Sequence, residues 1–142
     1  MSACSKSDKL TPLLPPSSFT FSAGDSLISF SVNKASPEDV YSTHTTLITG
    51  QYDDTSSRIG SLSIRCFGDT TGSFRGDSLL VTYISSNGKQ YYNTRDSDNV
   101  VTIDKYVKKY NGIVSGSFSV RVANGSESIR LEQGIFSALY QE

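Results

Sequence analysis

Val114-Ser115-Gly116-Ser117-Phe118-Ser119-Val120-Arg121-Val122-Ala123-Asn124-Gly125-Ser126-Glu127-Ser128-Ile129-Arg130-Leu131 alternates apolar and polar side chains on both sides of an Asn-Gly pair. In an extended strand, successive side chains point to opposite faces. Val114, Gly116, Phe118, Val120 and Val122 therefore form an inward row, while Ser115, Ser117, Ser119 and Arg121 face water. Beyond the pair, Ile129 and Leu131 point inward and Ser128, Arg130 and Glu132 outward. Asn-Gly suits a left-handed tight turn whose twist matches two antiparallel strands. The stretch predicts a β-hairpin.

The same punctuation recurs at Asn87-Gly88 and Asn111-Gly112, so the second half of the chain reads as consecutive hairpins. Gln133-Gly134 predicts a bulge, because the apolar phase shifts after it to Phe136, Ala138 and Tyr140. Strands are also predicted at Thr45–Tyr52, Ile59–Phe67, Ser78–Ile84, Lys89–Thr94 and Val100–Ile103, and the alternation of Ile28, Phe30 and Val32 adds another. Ser36-Pro37-Glu38-Asp39 has the order of a helix start, with Ser as cap, Pro first and acids following, so one or two helical turns are expected there. The expected fold is all-β, an antiparallel sandwich or flattened barrel of about eight to ten strands. No long helical pattern exists to cover a parallel sheet.

A chain of 142 residues with a net charge of −1 fits one domain. Near-neutrality gives no basic footprint for nucleic acid. Ser and Thr make up about a quarter of the residues, which suits outer strand faces better than helix interiors. Trp is absent, and with it the Cys…Trp…Cys signature of antibody-type domains. No stretch approaches the ~20 apolar residues that span a bilayer as a helix.

Met1-Ser2-Ala3-Cys4 has the form of a bacterial lipoprotein processing site, where small residues precede the cysteine that takes the lipid. Cys4 is the expected lipidation residue, with a hydrophobic signal expected upstream of Met1. Ser5 to Pro16 is polar and then Pro-rich, without period, and reads as a tether. Residues 1–16 are thus assigned to an anchor remnant and tether, and 17–142 to a single β-sandwich domain. The second cysteine, Cys66, shares a strand face with Leu62 and Ile64 and reads as a buried thiol; a Cys4–Cys66 disulfide is the competing reading.

Three segments carry a family likeness: Asn99-Val100-Val101-Thr102-Ile103-Asp104-Lys105-Tyr106, Ile113-Val114-Ser115-Gly116-Ser117-Phe118-Ser119-Val120, and Ile129-Arg130-Leu131-Glu132-Gln133-Gly134-Ile135-Phe136. Together they resemble a Bacteroidota family of small secreted or lipid-anchored β-sandwich proteins of unknown function. That family's domains end in strands of the form V-T-I-T, I-S-G-T-F-S-F and N-G-x-F. Gln133 here replaces the family's Asn, and Phe30-Ser31-Val32-Asn33-Lys34 lacks the Gly of its V-N-G-K strand. The resemblance implies a β-sandwich at the cell envelope, lipid-anchored on the periplasmic side or the outer-membrane surface. It implies no catalytic residue.

Other motifs have plainer readings beside the chemical ones. Arg75-Gly76-Asp77 matches an integrin-binding tripeptide, but Gly at a strand junction accounts for it. Asn124-Gly125-Ser126 matches a glycosylation acceptor and also makes the hairpin turn. His44, the one histidine, would have to serve any Ser-His-Asp triad, yet no Gly-x-Ser-x-Gly elbow accompanies it, and nitrogen and sulfur ligands for zinc are nearly absent. Asp53-Asp54, Asp69, Asp96 and Asp98 are carboxylates in turns; Asp96 and Asp98, spaced as alternate residues, are calcium candidates, with solvated turns as the default. Tyr83, Tyr91 and Tyr92 are candidate ligand-binding residues, since outward aromatics stack on sugar rings or anchor a protein partner. Tyr91 and Tyr92 are consecutive on one strand, so only one of them can face outward.

The expectation is a non-enzymatic envelope lipoprotein, a binding or structural module without cofactor, held to a membrane by its lipid and partnered by a glycan or an envelope protein. A carbohydrate-binding accessory of a polysaccharide-uptake system is the alternative, and a hydrolase comes third.

Overall fold

The computed structural model describes residues 17–40, 42–52 and 57–141. Cys4 and the tether from Ser5 to Pro16, along with Asp53 and Asp54, lie outside the described residues. The described chain is β throughout. The first four strands are β1 Ser18–Ala23, β2 Ser26–Phe30, β3 Val32–Val40 and β4 Thr43–Gln51. Next come β5 Ser61–Cys66, β6 Gly72–Phe74, a single 3-10 turn at Gly76–Ser78, β7 Leu79–Ile84 and β8 Gln90–Asn93. The last three are β9 Val100–Tyr106, β10 Ile113–Asn124 and β11 Glu127–Tyr140.

The strands form one sheet in the order β2-β1-β11-β3-β4-β5-β7-β8-β10-β9-β6. Because β10 also pairs with β11, the seven strands from β11 round to β10 close into a ring. The corners are narrow. Strand β11 meets β3 only at Leu139↔Lys34 and Tyr140↔Ala35, and β10 meets β8 only at Val122↔Asn93 and Ala123↔Tyr92. The ring is therefore flattened into two layers. One is β3-β4-β5-β7-β8, and the other is β2-β1-β11-β10-β9-β6. This is the expected all-β flattened barrel, with eleven strands among the described residues and one parallel contact, β3 with β11.

The segment from Ser36 to Asp39 corrects the sequence reading. It is not helical; it is the second half of β3, paired with β4 at every residue from Val32↔Gln51 to Val40↔Thr43. Proline is tolerated there because of register. Gln141 donates to the Ala35 carbonyl, so odd-numbered residues of β3 aim their backbone groups away from β4. The Pro37 nitrogen points the same way, past the end of β11, where no ladder bond is lost.

The Asn-Gly pairs do mark connections, with one residue of each at positive φ: Gly88, Asn111 and Gly125. None is the two-residue left-handed form centred on Asn-Gly. Asn124 pairs with Glu127, which makes Gly125 and Ser126 the central residues of that turn. Gly88 closes a longer loop in which its N–H donates to Ser85 O and Ser85 N–H donates to Lys89 O. The bulge at Gln133-Gly134 is present. Phe118 opposes Gly134 and Val120 opposes Leu131, so Glu132 and Gln133 together face Ser119, and Gln133 has φ +53°. Gly134 is needed for space: a Cβ there would lie 2.4 Å from the Phe118 ring.

The core fills the space between the layers. Phe19 touches the rings of Phe21, Phe30, Phe118 and Phe136 at centroid distances of 5.7–6.2 Å. Phe21 reaches Tyr83 on the opposite layer, 5.8 Å away and nearly perpendicular. Gly50 on β4 makes room beneath Phe19 and Phe30, since a Cβ would come within 2.7 Å of the first ring. The β1–β2 hairpin thus closes the interior that the ring leaves open where β11 exchanges β1 for β3 as its neighbour.

Cys66 is fully buried and carries a free thiol, the buried-thiol reading of the sequence, while Cys4, the other half of the competing disulfide, lies outside the described residues. Burial pushes the Cys66 thiol from 9.0 up to about 12. Burial likewise raises the phenols of Tyr83 and Tyr106 above their ordinary 10.0. Each of these acids keeps its proton in the fold at a pH where the unfolded chain releases it. The unfolded state then binds fewer protons, and stability falls as pH rises. The contribution is intact below about pH 9 and is lost between about pH 9 and 12. Urea melts near neutrality and above about pH 9 are expected to show a falling midpoint, and a thiol reagent is expected to label Cys66 only once the protein is unfolded. Labelling of the folded protein at the unfolded rate would show that Cys66 is accessible.

Candidate functional site

The outer face of the β4-β5-β7-β8 layer carries an open groove of about 820 Å³. Its floor follows from register. Ser63 pairs with Thr82 and Thr82 with Tyr92; two residues along, on the same face, Leu47 pairs with Arg65 and Arg65 with Leu80. Directly opposed side chains on one sheet face sit about 4.5–5.5 Å apart at Cβ. Two parallel rows result. One is hydroxyl, hydroxyl, aromatic, and the other is apolar, guanidinium, apolar. Tyr92 is 55% exposed and Leu80 47% exposed.

The far wall of the groove is built by polar contacts. Strand β8 stops at Asn93, whose side chain takes over from a further strand residue: Val81 N–H donates to its Oδ1 at 3.0 Å, and its Nδ2 donates to Leu79 O at 3.4 Å. The chain then turns away as the loop 94–99. Asn99, 2% exposed, fixes that loop by donating to Thr94 O at 3.0 Å and accepting from Arg121 N–H at 2.9 Å. Arg121 also pairs with Asp96 at 3.0 Å. The 3-10 turn supplies the rim through Gly76 and Asp77, with Arg95 3.7 Å from Asp77 in open solvent. On the floor, Arg65 pairs with Glu38, and its buried Nε has no partner among the described residues.

The predicted aromatic site is divided. Tyr92 lies in the groove, but Tyr83 and Tyr91 are each 4% exposed and face the core, 5.9 Å apart. The three cannot form one patch, because Tyr83 pairs with Tyr91 on the inner face while Tyr92 takes the outer one. The calcium candidates Asp96 and Asp98 each face an arginine. Asp96 is paired with Arg121, and Asp98 with Arg130 at 3.2 Å. Each carboxylate is already neutralised by a separate cation, and no group of three or more metal-ligating side chains occurs among the described residues. Asp69 pairs with Lys108 at 3.0 Å, and that hydrogen bond holds its carboxyl below the usual range. His44 is exposed and bonded to Asp39 at 2.8 Å, away from the groove. In Arg75-Gly76-Asp77 the glycine has φ +56° and opens the 3-10 turn, which is the junction role expected of it. Asn124 donates to Gln90 O at 2.8 Å, so its amide ties the hairpin end to β8.

Sequence reading missed Leu47, Ser63, Arg65, Leu80 and Thr82 as a group. Each sits at an outward position, but they meet only through pairings between strands up to thirty-five residues apart in number, from Leu47 to Thr82. Leu80, apolar at an outward position, was the available local signal. No family model, no curated protein and no solved structure matches the chain. No helix among the described residues is long and apolar enough to cross a membrane.

Proposed function

We propose that the chain is a non-enzymatic binding module of a bacterial cell envelope, lipid-anchored through Cys4, whose groove over Tyr92 holds a saccharide. The observation that carries this reading is the pair of side-chain rows on the groove floor. A sugar ring has apolar C–H faces and a rim of hydroxyls. Tyr92 and Leu80 offer an apolar platform for the faces, and Ser63, Thr82 and Arg65 offer partners for the hydroxyls within the same open concavity. The processing-site form of Met1-Ser2-Ala3-Cys4, the tether after it and the resemblance to Bacteroidota envelope proteins support the location.

An array of bacterial and plant oligosaccharides tests the binding. The protein is expected to retain at least one class, and Tyr92→Ala to weaken that binding about tenfold or more, since truncating a central aromatic is costly. Tyr110→Ala, at a tyrosine 66% exposed elsewhere, is expected to leave binding unchanged. Binding to no saccharide, or equal losses in both variants, would overturn the reading. For the anchor, a fatty-acid label on the full-length gene product is expected to disappear in Cys4→Ser.

A further inference from the structure

In the groove over Tyr92, an exposed leucine stands beside a charged donor. Leu80 is apolar, 47% exposed and set in the floor of a largely polar concavity. Its exposure follows from register. Thr82 pairs with Tyr92, but β8 ends at Asn93, so no β8 residue stands opposite Leu80. On its other side Leu80 pairs with Arg65, which pairs in turn with Leu47. Leu80 and Tyr92 are therefore diagonal neighbours across β7 and β8, about 7–8 Å apart and within reach of one ligand group.

Arg65 has donors to spare. A guanidinium carries five N–H groups. Among the described residues Arg65 makes one hydrogen bond, from Nη2 to Glu38 Oε1, and its buried Nε has no acceptor. The side chain is 28% exposed on the groove floor. It therefore calls for an acceptor, and the charges around it favour a neutral one. Glu38 already balances Arg65, Asp77 lies 3.7 Å from Arg95, and Asp96 lies 3.0 Å from Arg121. A ligand carboxylate would add a negative charge beside Glu38, in a groove whose two lining cations each face a carboxylate already.

We propose that the sugar seated on Tyr92 carries an N-acetyl group and is a neutral 2-acetamido sugar; this rests on the saccharide reading of the groove. The sugar ring stacks on Tyr92. The acetamido carbonyl accepts from the Arg65 guanidinium, its methyl group packs on Leu80, and its N–H donates to the Thr82 hydroxyl. A plain hexose presents a hydroxyl at that carbon. It would set a polar group against Leu80 and leave Arg65 without the carbonyl. Leu80 is then the residue that sets the preference between the two sugars.

The test is a calorimetric titration with three trimers of one linkage, built from N-acetylglucosamine, glucose and glucosamine. The N-acetylglucosamine trimer is expected to bind about tenfold tighter than the glucose trimer, the combined worth of one buried methyl group and one hydrogen bond. The glucosamine trimer, with an ammonium in place of the amide, is expected to bind no better than glucose. Leu80→Ser, at an exposed position, is expected to shrink the preference to about threefold or less. Tyr92→Ala is expected to weaken every trimer about tenfold or more. The disaccharide of N-acetylglucosamine and N-acetylmuramic acid carries the same amides plus a carboxylate, and so separates a bacterial wall glycan from a neutral chitin-type one. It is expected to bind more weakly than the N-acetylglucosamine dimer. Four results would overturn the inference and leave the saccharide reading standing: equal affinity for the glucose and N-acetylglucosamine trimers, equal losses of both in Leu80→Ser, tighter binding of the acidic disaccharide, or an array whose Tyr92-dependent saccharides lack acetamido groups. Binding of no saccharide at all would overturn both.

Discussion

Phe19→Ala is expected to lower stability by about 3–5 kcal/mol, the range for truncating a fully buried phenylalanine. Phe19 has no exposed surface and touches four other phenylalanine rings. Those rings come from β1, β2, β10 and β11, so the cavity left behind has walls on several strands and cannot collapse cheaply. Gly50 sharpens the effect. It provides the clearance under Phe19 and Phe30, and that space becomes part of the void when the ring is removed. Leu27, in the same hairpin but 78% exposed, is the control: Leu27→Ala is expected to change stability by less than about 0.5 kcal/mol. Urea melts followed by circular dichroism measure both. Similar losses for the two would mean that the hairpin is not seated on the core through its Phe19 face.

Gly116→Ala is expected to be at least as damaging, at about 3 kcal/mol or more, by the opposite mechanism. A Cβ on Gly116 would sit 1.9 Å from the carbonyl oxygen of Thr102 and 2.9 Å from the tip of the Phe136 ring. The first neighbour is backbone of the adjacent strand β9, so no side-chain rotation relieves the contact. The pairing of β10 with β9 is already irregular beside this point, with a register shift between Ile103 and Lys105. Adding one methyl group must push the two strands apart. Gly125 provides the contrast. A Cβ there meets nothing within 4 Å, and only its φ of +58° resists substitution, at about 1 kcal/mol. If Gly116→Ala and Gly125→Ala melt alike, β9 and β10 do not approach as closely as described.

Both effects bear on what was readable from the chain. The faces of β10 and β11 were legible because each strand alternates cleanly over many residues, and the bulge was legible because the apolar phase changes at Gln133-Gly134. The split between Tyr91 and Tyr92 was also legible, as two consecutive strand residues, but not which of them faced out. Pro37 misled, since Ser-Pro-Glu-Asp is a sound helix start in isolation. What decides the matter is the long partner strand β4 on one side and the ended β11 on the other, neither of which is a local property. The closed ring and the groove were hidden for the same reason. Each corner of the ring rests on two residue pairs, and the groove rows depend on the register of four strands at once. Asp96 and Asp98 looked like a ligand pair because their arginine partners, Arg121 and Arg130, lie more than twenty residues further along the chain, on other strands.

The most direct test of the functional account is an amide-shift map of the labelled protein titrated with an oligosaccharide that the array identifies. The account predicts saturable shifts at Ser63, Arg65, Leu80, Thr82 and Tyr92, little change at Ile28 and Ile129, and loss of the shifts in Tyr92→Ala. Shifts centred on another face, or a map that Tyr92→Ala leaves intact, would contradict it.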